Sequence, residues 1–386
     1  MNKNIITVLL LLIGINQVKS QDVEQIVIGT KHSLRSNILN EERKYWVNLP
    51  ESYNNGEEPY KKYPILIVLD GNTHFKSITG MVSYMSRNGK IPEMIVIAVQ
   101  NVDRRRDFTP DKIITVRENN TGGGRRFLSF LEDELIPELD RKYRTEPYRI
   151  LYGHSLGGLL ATHAYMKEKT LFNSFISVDP SFGTWDAKTM DRKLDSVTAN
   201  SYKRFIYLAT ANWGKRNIRN RDRHLRLYEA LNSKCEGEFY AKLEYFENEN
   251  HGSVPPIAFY NGISSIFKEY GISFRDVDSK SQLIEHFQSI SQRLSWNFKP
   301  PEQLVNQIGY RMLRSRNEND KSKALEFFIL NTENFSNSFN AYDSLGEAYE
   351  VSGNKKKAIE NYKKALELNP KSEHARIKIE SLNKSE

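Results

Sequence analysis

Ser155 stands between two glycines in YGHSLGGLLA, residues 152–161. A serine hydroxyl attacks a carbonyl carbon only when a base takes its proton and donors hold the resulting oxyanion. The spacing Gly153-x-Ser155-x-Gly157 suits a sharp strand-to-helix turn that lifts the serine out of a sheet. Glycines belong there because neighbouring chains come too close for a Cβ. The pattern alone is weak in a chain of 386 residues. Its flanks strengthen it: YRILY reads as a strand and LGGLLATHAYMKE as a helix. The start of that helix offers free N–H groups and positive potential beside Ser155.

The base should lie late in the chain, after the last strand and before the final helix of the sheet domain. His251, in YFENENHGSVPPIAFYNGISSIF, is there. His154 fills the variable slot inside the turn, and His74 follows the third strand and lines the pocket. The acid should fall between Ser155 and His251. Asp222, after the strand at 203–211, is the favoured candidate. Asp179, which ends a strand, Asp186 and Glu249 are rivals, and a Ser–His dyad without a strong acid is a further alternative. The oxyanion donors expected are the N–H groups of Leu156 and of Gly71, in the loop after YPILIVLD, with Asn72 beside it. Trp185 and Trp213 are candidates for an aromatic wall over an acyl group or a sugar, and Asn72 and His154 complete the expected substrate contacts. Arg104, Arg105 and Arg106 either rim the site for an anionic substrate or pair with Asp103 and Asp107. There is no HExxH run and no cluster of Cys and His ligands, so this chemistry calls for no metal or organic cofactor.

The elements that must position these groups are legible as alternating runs from about 25 to 275. Strand-like runs occur at 25–29, 44–49, 63–70, 93–100, 148–155, 172–180, 203–211 and 241–248. KYWVNL (44–49) suits an antiparallel strand, whereas PILIVLD and MIVIAV are apolar almost throughout, as in central strands covered on both faces. Helical periodicity appears at 124–142, 156–168, 222–233 and 255–270. Such alternation predicts an α/β fold, a mostly parallel central sheet with helices on both faces. Beyond 275 the pattern turns all-helical. Leu283, Ile284, Phe287, Ile290 and Leu294 share one helical face, and FKPPEQ (298–303) breaks the chain. Ala324 and Phe328 recur 34 positions later as Ala358 and Tyr362, and IGY (308–310) is echoed by LGEAY (345–349). This period resembles the tetratricopeptide repeat, the first copy degenerate around NENDK.

Net charge is +8, with 56 Lys and Arg against 48 Asp and Glu, and no long basic tract marks a nucleic-acid footprint. Lys3 followed by an apolar run from Ile5 to Ile15 fits a signal peptide cut before Gln21. It is too short for a membrane span of about 20 residues. The one cysteine, Cys235, cannot form an internal disulfide. The expected organisation is therefore a signal peptide at 1–20, the sheet domain at 21–275, a linker helix at 276–300 and helical repeats at 301–386. Export to the periplasm or beyond the cell is the expected destination, with no membrane span after signal removal.

Several stretches together carry a family resemblance: YPILIVLDG, NVDRRRDFTP, GGGRRFLSFLEDELIPELDRKYRTEPYRILYGHSLGGLLA, DPSFGTWD and NENHGSVP. In that order they resemble the putative esterase family of α/β-hydrolases, nearest its siderophore-esterase-like branch. The resemblance implies an α/β-hydrolase fold over about 25–270, followed by the small all-α tetratricopeptide-like domain. It implies Ser155 as nucleophile, His251 as base and Gly71 and Leu156 as oxyanion donors, with some members of the branch resembling Ser–His dyads. The expected activity is hydrolysis of a small-molecule or glycan carboxylic ester. Acyl transfer to another acceptor, or binding of a protein partner through the tail, are the alternatives.

Overall fold

The computed structural model describes residues 25–54, 60–113, 120–167, 169–184, 187–195, 204–214, 218–234 and 241–384. Residues 1–20, Trp185, Asp186 and Cys235 lie outside them. In chain order the elements are β1 (Thr30–Ser36), β2 (Glu41–Asn48), β3 (Tyr63–Val68), α1 (Gly71–Arg87), β4 (Ile95–Val99) and α2 (Arg104–Phe108). Then come α3 (Gly124–Ser129), α4 (Ile136–Lys142), β5 (Thr145–His154), α5 (Leu156–Tyr165), β6 (Ser174–Val178) and α6 (Ala187–Asp195). β7 (Phe205–Ala211), α7 (Ile218–Lys234), β8 (Ala241–Phe246) and α8 (Val254–Ile266) close the sheet domain. The helices α9 (Lys280–Leu294), α10 (Glu302–Leu313), α11 (Glu318–Asn334), α12 (Phe339–Val351), α13 (Lys355–Leu368) and α14 (Glu373–Lys384) follow.

The strands form one sheet in the order β1-β2-β4-β3-β5-β6-β7-β8. β1 and β2 run antiparallel to their neighbours, and the other pairs are parallel. Every residue of β3, β4, β6 and β7 is buried, because helices cover both faces. Alternate residues feed two cores. Leu66, Val68, Val96 and Ile150 pack with α1 and α8, while Ile65, Ile67, Ile97 and Leu151 pack with α3, α4, α5 and α7. Parallel pairing in register, such as Val68 with Tyr152 and Val178 with His154, brings the strand ends to one rim.

Two expectations need correction. The run at 25–29 is coil, with Ile26 95% exposed. The first strand is the polar TKHSLRS, which hydrogen bonds to β2 at the sheet edge, where pairing rather than apolar burial selects the strand. The helix expected over 124–142 contains a π-helical stretch at Phe130–Leu135, just before Pro137 in α4, which has no N–H to give to the preceding turn.

The tail does not stand apart. Phe287 packs on Tyr270 at 5.7 Å and Phe298 on Tyr148 at 5.3 Å, so one apolar core runs from the sheet through α8 and α9 into α10, α11 and α12. Within the tail one contact recurs. A Cβ on Gly309 would lie 2.7 Å from the Phe328 ring, and one on Gly346 would lie 2.8 Å from the Tyr362 ring. The first copy is degenerate in sequence and yet keeps this close helix crossing. A cleft of about 1520 Å³ opens between the tail and the amino ends of β3, β4 and β5, lined in part by Pro64, Glu93, Glu146, Trp296 and Phe335.

Candidate active site

Four strand ends and one loop build the site. At the end of β3, Leu69 N–H still bonds to Tyr152 O (3.0 Å), and Asp70 then turns into the left-handed region (φ 53°). α1 starts at Gly71, where a Cβ would meet the β4 backbone at 2.7 Å. At the end of β5, Ser155 adopts φ 60°, ψ −115°, a strained conformation that costs about 1–3 kcal/mol. The turn is over-determined. Ser155 N–H bonds to Val178 O (2.9 Å), and Ser155 O accepts from the N–H groups of Leu159 (2.9 Å) and Ser181 (3.1 Å). A Cβ on Gly153 would lie 2.1 Å from Gly157 O, so only glycine fits. On the far side the tight position is Gly158, 3.1 Å from Val178 O, more than Gly157, which has 3.4 Å to its nearest atom.

Gly71 and Leu156 are each the first residue of a helix, and their N–H groups carry no hydrogen bond among the described residues. Two helix starts thus present donors and positive potential at one rim. Arg104 ties them together. Its Nε and Nη2 donate to Asp70 Oδ1 (2.7 Å) and Oδ2 (3.0 Å), and Nη2 also reaches His154 O (3.3 Å). Asn101 Nδ2 completes the grip on Asp70 Oδ1. The arginines are therefore engaged rather than a free rim, since Arg106 bonds to Asp107 and Glu41. Asn72 is exposed in the first turn of α1.

His251 follows β8 in a turn whose N–H groups at Gly252 and Ser253 bond to Asn250 Oδ1. Its Nδ1 lies 2.6 Å from Asp179 Oδ2. Asp179 is 1% exposed and immediately follows β6, with φ 41°. Burial alone would raise its pKa. The hydrogen bond from His251, the nearby His224, the Trp213 N–H (2.6 Å) and the Ala211 N–H (3.2 Å) outweigh burial and hold it below the usual carboxylate value. An ionised carboxylate makes His251 Nδ1 the donor and leaves Nε2 to act as a base.

Asp222, favoured as the acid, is not at the site. It is exposed on α7, while Asn220 and His224 of the same helix turn inward and both donate to Pro180 O, at 3.0 and 2.8 Å. The helix that was expected to supply the acid instead braces the loop that carries Asp179. Glu249 meets the site only through its main-chain carbonyl, which accepts from Asn212 N–H. The carboxylate in contact with His251 thus follows β6, one strand earlier than the position of Asp222, and Trp213 lies just past the end of β7.

His154, the last residue of β5, packs its ring against other histidines instead of standing free. Its ring lies between those of His251 (4.4 Å) and His74 (5.7 Å). Burial, with His251 and His74 adding to it, pushes its pKa down to about 4. The Ser155 hydroxyl bonds to Ser181 Oγ at 3.0 Å, and no hydrogen bond joins it to His251 among the described residues. Such contacts commonly tighten only with substrate bound. Ser181 was missed at the sequence level. Its signal was its place two residues after Asp179 in DPSFGTWD.

A serine on a strained turn after the fifth strand, with a carboxylate-bound histidine after the eighth, defines an α/β-hydrolase. Residues 36–227 match the family described as "Putative esterase", and residues 339–372 match a tetratricopeptide repeat. The ferri-bacillibactin esterase BesA of Bacillus subtilis is 29% identical over 253 residues, 59% of this chain and 86% of that protein. The siderophore triacetylfusarinine C esterase of Aspergillus fumigatus is 29% identical over 133 residues, 31% of this chain and 44% of that protein. An IroE-like serine hydrolase from Shewanella oneidensis superposes with TM-score 0.68 at 26% identity, covering 78% of this chain and 98% of its own. An uncharacterised protein from Capnocytophaga ochracea shares the fold at TM-score 0.61 and 21% identity over 92% of this chain and 99% of its own, a span that includes much of the tail. The enzyme is a carboxylic ester hydrolase.

Proposed function

We propose that the enzyme is an exported serine esterase that opens ester bonds of a siderophore-type substrate. The observation that carries the mechanism is the 2.6 Å pair of His251 Nδ1 and Asp179 Oδ2 beside the strained Ser155. His251 Nε2 takes the Ser155 proton as Oγ attacks the ester carbonyl. The N–H groups of Gly71 and Leu156 hold the oxyanion. The C–O bond breaks as His251 returns the proton to the leaving alcohol. Water then adds to the acyl-enzyme with the same base, releasing the acid and restoring Ser155. Asp179 stays ionised and stabilises the imidazolium throughout.

The substrate class is supported by the relatives, two of which are named for siderophore esters. Export is supported by Lys3 and the apolar run Ile5–Ile15. The test is incubation with a ferric catecholate trilactone, a hydroxamate siderophore ester and a feruloyl sugar, with products identified by mass, alongside labelling by a fluorophosphonate. Linearised trilactone or hydrolysed hydroxamate ester and a phosphonyl adduct on Ser155 are the expected results. Turnover of the sugar ester alone would overturn the substrate class, and an unlabelled Ser155 in a hydrolysing enzyme would overturn the mechanism.

A further inference from the structure

Trp213 stands two residues past the end of β7, where chain order had placed the acid. Its indole N–H donates to Asp179 Oδ2 at 2.6 Å, the same oxygen that takes His251 Nδ1–H at 2.6 Å. The indole also leans on the His251 ring, with centroids 4.6 Å apart at 45°. His154 lies against His251 at 4.4 Å. The imidazole is therefore in contact with two rings, one of which shares its carboxylate oxygen. Rotating the indole away would strip a donor from a buried charge, which costs more than an exposed hydrogen bond would. Trp213 is nevertheless 40% exposed, more than packing alone would select for so large an apolar side chain.

We infer that Trp213 is a positioning residue for the Asp179–His251 pair: its N–H fixes the shared oxygen and divides its charge, and its ring sets the imidazole plane. The inference rests on the reading of Asp179 and His251 as acid and base. Two donors on one oxygen each feel less of its charge. Without the indole N–H, Oδ2 turns its charge on His251 and the imidazolium gains stability. The groups facing His251 are Asp179 after β6, Trp213 after β7 and His154 at the end of β5. His74 of α1 stands behind His154, and His224 of α7 behind Asp179. Burial holds His154, His74 and His224 below the usual histidine range, so they carry no charge near neutrality.

The experiment compares Trp213→Phe, Trp213→Ala and Asp179→Asn on an aryl ester. It reads kcat, KM, the pH profile of kcat/KM and the low-field proton signal of His251 Nδ1–H. Trp213→Phe is expected to lower kcat roughly 3- to 10-fold with KM within about two-fold, and to move the acid limb up by about half a pH unit. The proton signal should shift further downfield, and Trp213→Ala should cost more because the ring is lost. Wild-type kcat, acid limb and proton signal in Trp213→Phe, with Asp179→Asn impaired, overturns the inference alone. Wild-type turnover in Asp179→Asn overturns the underlying reading and the inference with it. Melting curves confirm that each variant is folded.

Discussion

The two ends of the parallel strands are built on opposite principles. At the carboxyl ends, Asp70, Ser155 and Asp179 each leave a strand with positive φ, three of the six such non-glycine residues among those described. Buried charge is held there by hydrogen bonds, as on Asp70 and Asp179. At the amino ends aromatic packing carries the main contact with the tail, beside hydrogen bonds such as that of Tyr60 to Glu302, which also accepts from Ser338. Tyr148, Phe267, Tyr270, Phe287 and Phe298 form a cluster of mostly edge-to-face rings that fastens the tail. Strain and buried polarity are tolerated where a dense network fixes one geometry, and the stability they cost is supplied by ordinary packing elsewhere.

If that division holds, activity and stability should separate. Ser155→Ala should cost about 10⁵-fold in kcat and leave Tm unchanged or raised, since it removes a reacting group and no packing. Phe287→Ala should cost about 3–5 kcal/mol, roughly 10 °C in Tm, while kcat per folded molecule stays at wild type. A loss of turnover in folded Phe287→Ala would mean that the two ends are coupled. Within the catalytic end, Asp179→Asn should cost about 10³- to 10⁴-fold in kcat, and Asp222→Asn should be silent. Steady-state kinetics on one aryl ester decides between the two carboxylates.

The asymmetry in that last pair shows what could be read from residues alone. Ser155 was legible because its evidence is local: a strand, a glycine-flanked turn and a helix within twenty residues. The place of His251 after the last strand was legible from chain order. The acid was not, because which strand end faces His251 is set by the sheet's register, and Asp179 and Asp222 are both Asp residues beside a strand or helix end. The same holds for the first strand. Apolar content pointed to 25–29, whereas hydrogen bonding to β2 chose the polar 30–36. The grip of Arg104 on Asp70 and His154 O joins residues 34 and 50 positions apart and leaves no periodic signal. In the tail the repeat was legible because Ala324 and Phe328 recur 34 positions later as Ala358 and Tyr362, although the glycines of the preceding helices, Gly309 and Gly346, are 37 apart.

pH sharpens the comparison further. His154, at the carboxyl end, is held at about 4, so the unfolded chain takes up its proton first as pH falls below about 6.5. That contribution is present above the unfolded value and lost on falling towards the folded one, so Tm should decline between about pH 6.5 and 4. Tyr148 and Tyr270, at the amino end, are raised by burial, so their contribution is present below the unfolded value and lost as pH rises past about 10. Acid should therefore act at the carboxyl end through His154, whereas alkali should act at both ends, since burial also raises Tyr152 beside His74. His154→Phe, which keeps a ring and removes one titration, should lessen the acid slope of a Tm series without abolishing it, since burial also holds His163 down to about 3, and should leave the alkaline slope alone. An unchanged acid slope would place the sensitivity elsewhere.

The smallest expected effect tests whether the degenerate repeat is as tightly packed as the regular one. Gly309 and Gly346 each let a helix approach an aromatic ring so closely that a Cβ would overlap it, on Phe328 and Tyr362 respectively. Alanine is the better helix former by about 1 kcal/mol, so an open site would be stabilised by the change. Overpacking costs about 1–3 kcal/mol instead, and neither ring has room to retreat, since both are fully buried. Gly309→Ala and Gly346→Ala should thus both lower Tm, with losses of stability within about 1 kcal/mol of each other. Gly353, open on all sides but at φ 75°, supplies the contrast. Alanine there is destabilising through backbone strain alone, so the loss should persist when Tyr362 is trimmed to leucine. For Gly346→Ala the same trimming should recover most of the lost Tm. A Gly309→Ala variant more stable than wild type would mean that the first copy, unlike the second, is loose enough to yield.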